Sequence, residues 1–351
     1  MRTWLIGFGV VVAVVAAWVV RLFWFAGEFK TLTPHFAGEC VTVPGVVGAE
    51  DIVIHRQKGI AFVSSADRRA MLAGRPARGA IYLYDLADGA HRVRNLTADA
   101  GPEFSPHGLG LHVGADGRAT LLAVNHAAGQ NTIEVYRWDG DALTHENTLA
   151  DPLLVSPNDV HPLDDHRFFV TNDHANPPGF ARTMEEYLQR EISNVVYYDG
   201  ARFSVAASGI GLPNGVNGSP DGRTLYVAST ITQSVRIFDL DPASGRITPR
   251  SRIEIGSGVD NIDVDAAGRL WVAAHPKLLT FVKHAKNPNA LAPSQVFRVD
   301  AATAHVEEIY LDLGAQLSGA SVGAYHDGRL LVGAVFDPRF LDCRLRATPG
   351  A

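Results

Sequence analysis

"PDGRTLYVASTITQSVRIFDLD", residues 220–241, is the stretch from which the fold can be read. Asp221-Gly222 supplies the left-handed backbone conformations that a tight hairpin turn requires, so "TLYVAST" leaves a turn as a strand. "VRIFDLD" then alternates apolar and polar side chains with the period of two that marks a half-buried strand. The same unit returns along the chain. Six runs match: "GIAFVSS" (59–65), "TLLAVNH" (120–126), "RFFVTND" (167–173), "TLYVAST" (224–230), "RLWVAAH" (269–275) and "RLLVGAV" (329–335). Turns introduce most of them: "ADGR" at 115, "LDDH" at 163, "PDGR" at 220, "AAGR" at 266 and "HDGR" at 326. Five are followed by a second strand: "IYLYDL" (81–86), "IEVYRWD" (133–139), "NVVYYDG" (194–200), "VRIFDLD" (235–241) and "SQVFRVD" (294–300).

Strand, Gly turn, strand and a further strand ending in Asp, repeated every 45 to 61 residues, is what four-stranded blades around an axis produce. Six such repeats predict an all-β fold, a six-bladed β-propeller over residues 27–351. The first and last blades of a ring must be joined, and the strand-like "HFAGECVTV" (35–43) can complete the sheet that contains "RLLVGAVFDP". Cys40 and Cys343 are the only cysteines. In an exported chain they predict a disulfide clasping the ring shut, with two unrelated buried thiols as the alternative.

Residues 4–20, "WLIGFGVVVAVVAAWVV", carry no charge and lead into Arg21 and "LFWFAGEF". A helix continuing through Phe25 spans a bilayer core, with Arg21 snorkelling and Trp4, Trp18 and Trp24 suited to the interfaces. Bulky Leu22 to Phe25 replace the small residues of a cleavage site, so residues 1–26 are expected to be a retained signal anchor that holds the chain to the membrane. Arg2 and the α-amino group favour export of the following domain, periplasmic or extracellular; Arg21 is the charge against that orientation. Cleavage of the leader would release a secreted protein. The net charge of −6, without any run of Lys or Arg, excludes a nucleic-acid partner. "TMEEYLQREI" (183–192) breaks the strand pattern with helical spacing and a capping box, Thr183 with Glu186, as a surface helix or a lid beside an entrance.

Polar residues stand ahead of five of the repeats: Glu50-Asp51, His107, Asn158-Asp159, Asn217 and Asp260-Asn261. In a propeller the loop into each innermost strand reaches the axis, so these groups converge on one channel. Carboxylates and amides together are hard oxygen donors of the kind that hold Ca²⁺, and neither thiolates nor a histidine triad at zinc spacing accompany them.

The motifs "GAEDIVI…GIAFVSS", "FSPHGLGLH", "LLAVNH", "PNDV", "FFVTNDH", "PNGVNGSPDG", "VDNIDVD" and "LWVAAHP", with the terminal cysteine pair, resemble the paraoxonase/arylesterase family of calcium-dependent lactonases over residues 36 to 345. The resemblance implies a catalytic calcium held by Glu50, Asn158, Asn217, Asp260 and Asn261, and a deeper structural calcium held by Asp51, Asp159 and the backbone carbonyl of Leu109. It also implies a histidine dyad, His107 deprotonating water with the help of His126, and further site-lining residues Asp173, His174 and His275. The family's free cysteine is replaced by Ala274. The segment "ADRRAMLAGRPARG" (66–79), where the resemblance places an active-site lid, is rich in arginine and lacks the expected tyrosine. The implied substrates are lactones and activated aryl esters, the metal polarising the carbonyl and the dyad activating water. Three rival readings stand beside this one: Asp260 as a nucleophile for some esters, a gluconolactonase-like sugar lactonase with one metal, and an exported propeller without catalysis. "GIGLPNG" (209–215) is expected to be a loop between strands, and "NLT" at 95–97 is a glycosylation sequon only in a eukaryotic setting.

Overall fold

The computed structural model describes residues 2–127 and 129–346. Six antiparallel sheets surround one axis. In blade one the strands run Ala49–His55, Ile60–Ser65, Ala80–Asp85 and Val93–Asn95, from the axis outward. The innermost strands of blades two to six are Pro106–Val113, Pro157–Pro162, Pro213–Gly218, Gly258–Val264 and Ala320–His326. The six repeated runs of the sequence therefore form the second strand of each blade. Gly38–Pro44 pairs with Arg339–Leu345 as the outer strand of blade six, and the Cys40–Cys343 disulfide crosses that pair. His35–Phe36, expected in the same strand, instead pairs with Tyr310 and Leu311 on the outer edge of blade five. The chain entering the propeller thus holds two blades.

The apolar core is divided into layers, one between each pair of neighbouring blades. Ile52, Val63, Tyr84, Leu331 and Phe340 fill the seam of blades six and one, and Phe62, Ile81, Leu109 and Leu121 that of blades one and two. Equivalent layers occupy the other four seams. Strands buried on both faces read as nearly continuous apolar runs, which is why "TLYVAS" and its counterparts are so conspicuous. The axis itself is lined with polar groups.

All six innermost strands carry a β-bulge at the same level. Ala49 pairs with Ser65 and Ile52 with Val63, so the Glu50-Asp51 pair is spanned by one partner residue. The shift recurs at His107-Gly108, Asn158-Asp159, Asn214-Gly215 and Asp260-Asn261, and at Ser321 in blade six. The polar residues ahead of the repeats thus lie within strands, not in the loops leading to them. A bulge turns both members of a pair toward the axis, where a regular strand would send one into the neighbouring seam. Where a bulge has only one polar residue, glycine is the other, because the next blade lies against it. A Cβ on Gly108 would sit 2.5 Å from the Asn158 carbonyl oxygen, and one on Gly215 would sit 2.6 Å from the Asn261 Cα.

Four helices decorate this frame. α1 (Arg2–Phe25) includes one segment, Trp4–Phe25, long and apolar enough to cross a membrane. Its exit is bolted to the propeller: Gln233 donates to the Phe25 carbonyl and the Leu278 N–H to that of Ala26. α2 is Arg68–Leu72 and α3 is Phe180–Tyr187. α4 (Leu278–Lys286) is capped by the Glu28 carboxylate, which accepts from the N–H groups of Leu279 and Thr280, an anion where a helix N-terminus favours one. The expected capping box is absent. α3 begins three residues before Thr183, whose hydroxyl donates to the Gly179 carbonyl one turn back, while Glu186 reaches away to His174.

The disulfide closes a loop of 303 residues. Its removal in a Cys40→Ser, Cys343→Ser double variant is expected to cost about 3–5 kcal/mol of unfolding free energy, measured by denaturant titration. A loss below about 1 kcal/mol would mean that strand pairing alone closes the ring.

Candidate active site

The bulges gather the site. Glu50, His107, Asn158, Asp173, Asn214, Asp260 and His275 line a cavity of about 630 Å³ at one end of the channel, roofed by Phe25 of α1 and by Phe281 and Val282 of α4. Asp51, Asp159, Leu109 and Asn217 line a separate chamber of about 260 Å³ toward the other end. Each pair is thus splayed along the axis, one member up and one down.

Asn217 is therefore not brought to the upper group. Its amide donates to the Ile262 carbonyl and accepts from the Gly218 N–H, both local contacts in the lower half of the channel. Asn214 stands in the upper group instead. The sequence contained the signal: the bulges of blades two, three and four each follow a proline, Pro106-His107, Pro157-Asn158 and Pro213-Asn214. Counting from that proline would have selected Asn214.

Four oxygens in this group are buried and lack a hydrogen-bond donor: Glu50 Oε2, Asn158 Oδ1, Asn214 Oδ1 and Asn261 Oδ1. Burying an acceptor unpaired costs free energy, so their accumulation on one axis needs an explanation. A hard cation supplies one, since it is the partner that several converging oxygens can share. Among the described residues no three His, Cys, Asp or Glu side chains form a metal cluster of their own, and the donor set here is amide and carboxylate oxygen. Asn261 also donates to Glu50 Oε1 at 2.9 Å, and Ser321 donates to the Glu50 carbonyl at 2.7 Å, which fixes the outer geometry of Glu50 from two other blades.

The bulges bring four carboxylates, Glu50, Asp51, Asp159 and Asp260, to this channel. Burial raises Asp51 well above the usual carboxylate range and the Glu50 charge adds to it; burial does the same to Asp159, helped by Asp51. Each does so despite accepting two backbone N–H bonds, Asp51 from Ile52 and Leu109, Asp159 from Val160 and Val216. The bonds from Leu109 and Val216 also stitch blade one to blade two and blade three to blade four. Burial raises Asp260 as well, although His275 donates to it at 2.7 Å. In Glu50 the effect of burial is outweighed by His107, Arg68 and Asn261, and its acidity is increased. The excess of negative charge at the centre favours a cation on electrostatic grounds alone.

His107 and His126 are coupled through a defined chain. Asn131 donates its amide to the carbonyls of Leu154 and Val155, so its oxygen faces His126 Nδ1 at 2.9 Å and requires a proton there. His126 Nε2 is then an acceptor and receives the Nδ1 proton of His107 at 2.9 Å. The remaining lone pair, on His107 Nε2, lies 3.4 Å from Glu50 Oε1. Burial, together with the proximity of His107, lowers the pKa of His126 to about 4, which keeps that ring neutral. Asn131 escaped the sequence reading because nothing near it in the chain distinguishes it from a turn residue.

Asp173 and His174 form a second polar node beneath α3. His174 Nδ1 lies 2.8 Å from Asp173 and Nε2 lies 3.0 Å from Glu186, and Arg182 reaches Asp173 at 3.6 Å. Burial opposes the charged ring, yet the two carboxylates raise its pKa to about 9. A raised pKa contributes stability below the unfolded value near 6.5 and loses it as the pH rises through 9. The stability gap between the wild type and His174→Gln is expected to shrink by on the order of 2 kcal/mol between pH 6.5 and 9.5, measured by denaturant unfolding. A gap independent of pH would show that the ring is neutral throughout.

The structure defines a propeller with an oxygen-lined axial site beside a half-buried histidine pair, and comparison with known proteins narrows that class. The arylesterase family model matches residues 38–345. Serum paraoxonase/arylesterase 1 of Rattus norvegicus is 32% identical over 334 residues, covering 90% of this chain and 92% of the relative. Serum paraoxonase/arylesterase 2 of Homo sapiens is 31% identical over 323 residues, covering 87% and 88%. Among solved structures, a gluconolactonase from Xanthomonas campestris superposes with a TM-score of 0.54 at 18% identity over 90% of this chain and 96% of its own. The calcium-binding protein regucalcin from Agrobacterium tumefaciens gives 0.53 at 17% identity over 90% and 97%. Those two show the propeller fold. The chain belongs to the arylesterase family, and with it to the ester hydrolases.

Proposed function

We propose that the protein is a calcium-dependent hydrolase of lactones and aryl esters, held to a membrane by α1 with its propeller exported. The observation that supports the metal is the set of four unpartnered oxygens, which with Asp260 would hold one calcium: Glu50, Asn158, Asn214, Asp260 and Asn261. The name of the calcium-binding propeller regucalcin points the same way. A second, deeper ion would be held by Asp51, Asp159 and the Leu109 carbonyl, where it would relieve the carboxylates of the lower chamber. The upper ion would polarise the substrate carbonyl and stabilise the developing oxyanion.

The chain's own residues supply the rest. Nε2 of His107 is the base that removes a proton from the attacking water, being the one lone pair of the dyad left free. The imidazolium so formed keeps its charge: His126, with its pKa near 4, is a poor acceptor for that proton, whereas Glu50 Oε1 stands 3.4 Å away to stabilise it. His126 thus orients His107 and Asn131 orients His126. Asp260, named above as a possible nucleophile, has Oδ2 engaged by His275, which favours a ligand role. Phe281, stacked on His275 at 3.8 Å, and α4 give the cavity an apolar wall that suits the hydrocarbon part of a lactone or an aromatic leaving group.

Full-length protein in detergent is expected to hydrolyse γ- or δ-lactones and phenyl acetate, to lose that turnover in EGTA and to regain it with Ca²⁺. His107→Gln should retain calcium and lose about 10²–10⁴-fold in turnover. Asn131→Leu should lose about 10–100-fold while calcium affinity stays within a factor of two, because only the tautomer and ring orientation are released. A calcium-loaded, folded protein inert toward the whole panel would overturn the catalytic reading and leave a propeller scaffold. Calcium binding should also release protons from the raised carboxylates, so affinity should increase with pH; calorimetry in buffers of different ionisation enthalpy counts those protons. Zero protons released would contradict the upward direction of the Asp51 and Asp159 shifts.

A further inference from the structure

Two consecutive arginines of α2 clamp the 66–79 segment, and they pull in opposite directions. Arg69 points outward from the axis. It donates to the Phe336 carbonyl at 3.0 Å and to the ring and carbonyl of His284 at 2.8 and 3.1 Å, and its guanidinium lies over the Phe336 ring at 4.8 Å. Arg68 points inward, its side chain only 14% exposed. Its guanidinium donates to the Gly48 carbonyl and to the Pro106 carbonyl, both at 3.2 Å, so it bridges the entries to the bulges of blades one and two. It also lies 3.9 Å from Glu50 Oε2, one of the four unpartnered oxygens. Gly48 makes this possible, since a Cβ there would stand 3.2 Å from the arginine Nη1 and 2.4 Å from the Ala66 carbonyl.

We propose that Arg68 is a positioning residue that couples the docking of α2 to the occupancy of Glu50, its guanidinium standing beside Oε2 in the metal-free site and a divalent cation displacing it and loosening the 66–79 segment. The inference rests on the reading of Glu50 as a ligand of the upper metal. A guanidinium 3.9 Å from Oε2 neighbours that oxygen without bonding it, and a divalent ion held by the same oxygen would repel the guanidinium strongly where water is excluded. The other anchors of Arg68 are two neutral carbonyls, which hold a guanidinium less firmly than a charge does. Arg69 keeps its own contacts, so the segment swings about the blade-six side instead of detaching. By linkage, the displaced arginine must weaken calcium binding by the same factor as calcium weakens the docking. Arg68 thus sets a threshold: the 66–79 segment loosens as the metal arrives.

The test uses the full chain in detergent, in calcium buffered by EGTA above the level at which the melting transition shifts, with two readouts. One is amide hydrogen exchange over residues 66–79. The other is the affinity for the calcium that a Glu50→Gln variant loses. In the wild type, exchange over 66–79 is expected to be faster with this calcium bound than without it. Arg68→Met should bind the ion about tenfold more tightly and show exchange that no longer depends on calcium. Arg68→Lys, still charged, should retain the dependence. Arg69→Met should speed exchange in both states. An arginine serving structure alone would weaken calcium binding when removed, so the sign of the change discriminates. Unchanged or weakened affinity in Arg68→Met, or calcium slowing exchange in the wild type, overturns the proposal; if Arg68→Met does not fold, the wild-type comparison decides. Calcium bound without any lactone or ester turnover would defeat the proposed function and leave this coupling standing, whereas no calcium bound would defeat both.

Discussion

Six sheets stacked face to face around an axis cannot fill that axis with apolar side chains, because each blade brings its inner strand edge-on to the centre. The constraint is met by a ring of bulges. At one level of every inner strand an extra residue turns polar side chains inward, and the carboxylate of one blade accepts the backbone N–H of the next, as Asp51 does from Leu109 and Asp159 from Val216. The ring therefore satisfies backbone donors that the bulges would otherwise strand. The same ring creates the site. Hydrophobic stabilisation lies in the six seams, and the polar axis is what remains available for chemistry.

Charge at that axis is out of balance by design of the ring. Asp51 and Asp159 are needed as acceptors, Glu50 and Asp260 lie beside them, and burial makes every one of the four costly in its ionised form. Fixed cations are few: Arg68 reaches the upper carboxylates, where the His107 and His275 rings also lie, and the pair Arg56–Asp263 closes the lower chamber. In the proposed reading a divalent ion would resolve the imbalance at both levels. Its competition with Arg68 for Glu50 would then connect a purely local electrostatic event to the 66–79 segment.

The elements added to the propeller all serve this end of the channel. The residues that follow α1 meet α4 through Ala26 and Glu28, α4 stacks Phe281 on His275, α2 inserts Arg68, and α3 is held over the cavity by His174 and Glu186. The proposed anchor, cavity wall and metal site would thus be built on shared contacts. A change in any one of these helices is transmitted to groups that touch the site.

The sequence by itself determined what depends on short-range periodicity and on chemistry that few residue types can perform. The Asp-Gly turns and doubly buried strands predicted six blades, the strand at the chain entry predicted ring closure by Cys40 and Cys343, and the acidic and amide pairs located most of the axial donors. Helix ends were less legible, because Thr183 and Glu186 satisfy a local capping rule while Glu186 is claimed by His174 across the fold. The tertiary structure chose Asn214 over Asn217, both in one short motif, by which residue the bulge presents to the axis, although the Pro-Asn step shared by blades three and four already marked Asn214. It alone assigned Asn131 its place behind His126, and Arg68 its place against Glu50. Those contacts join residues from different blades or loops, and no local pattern encodes a distance that the closing of the ring creates.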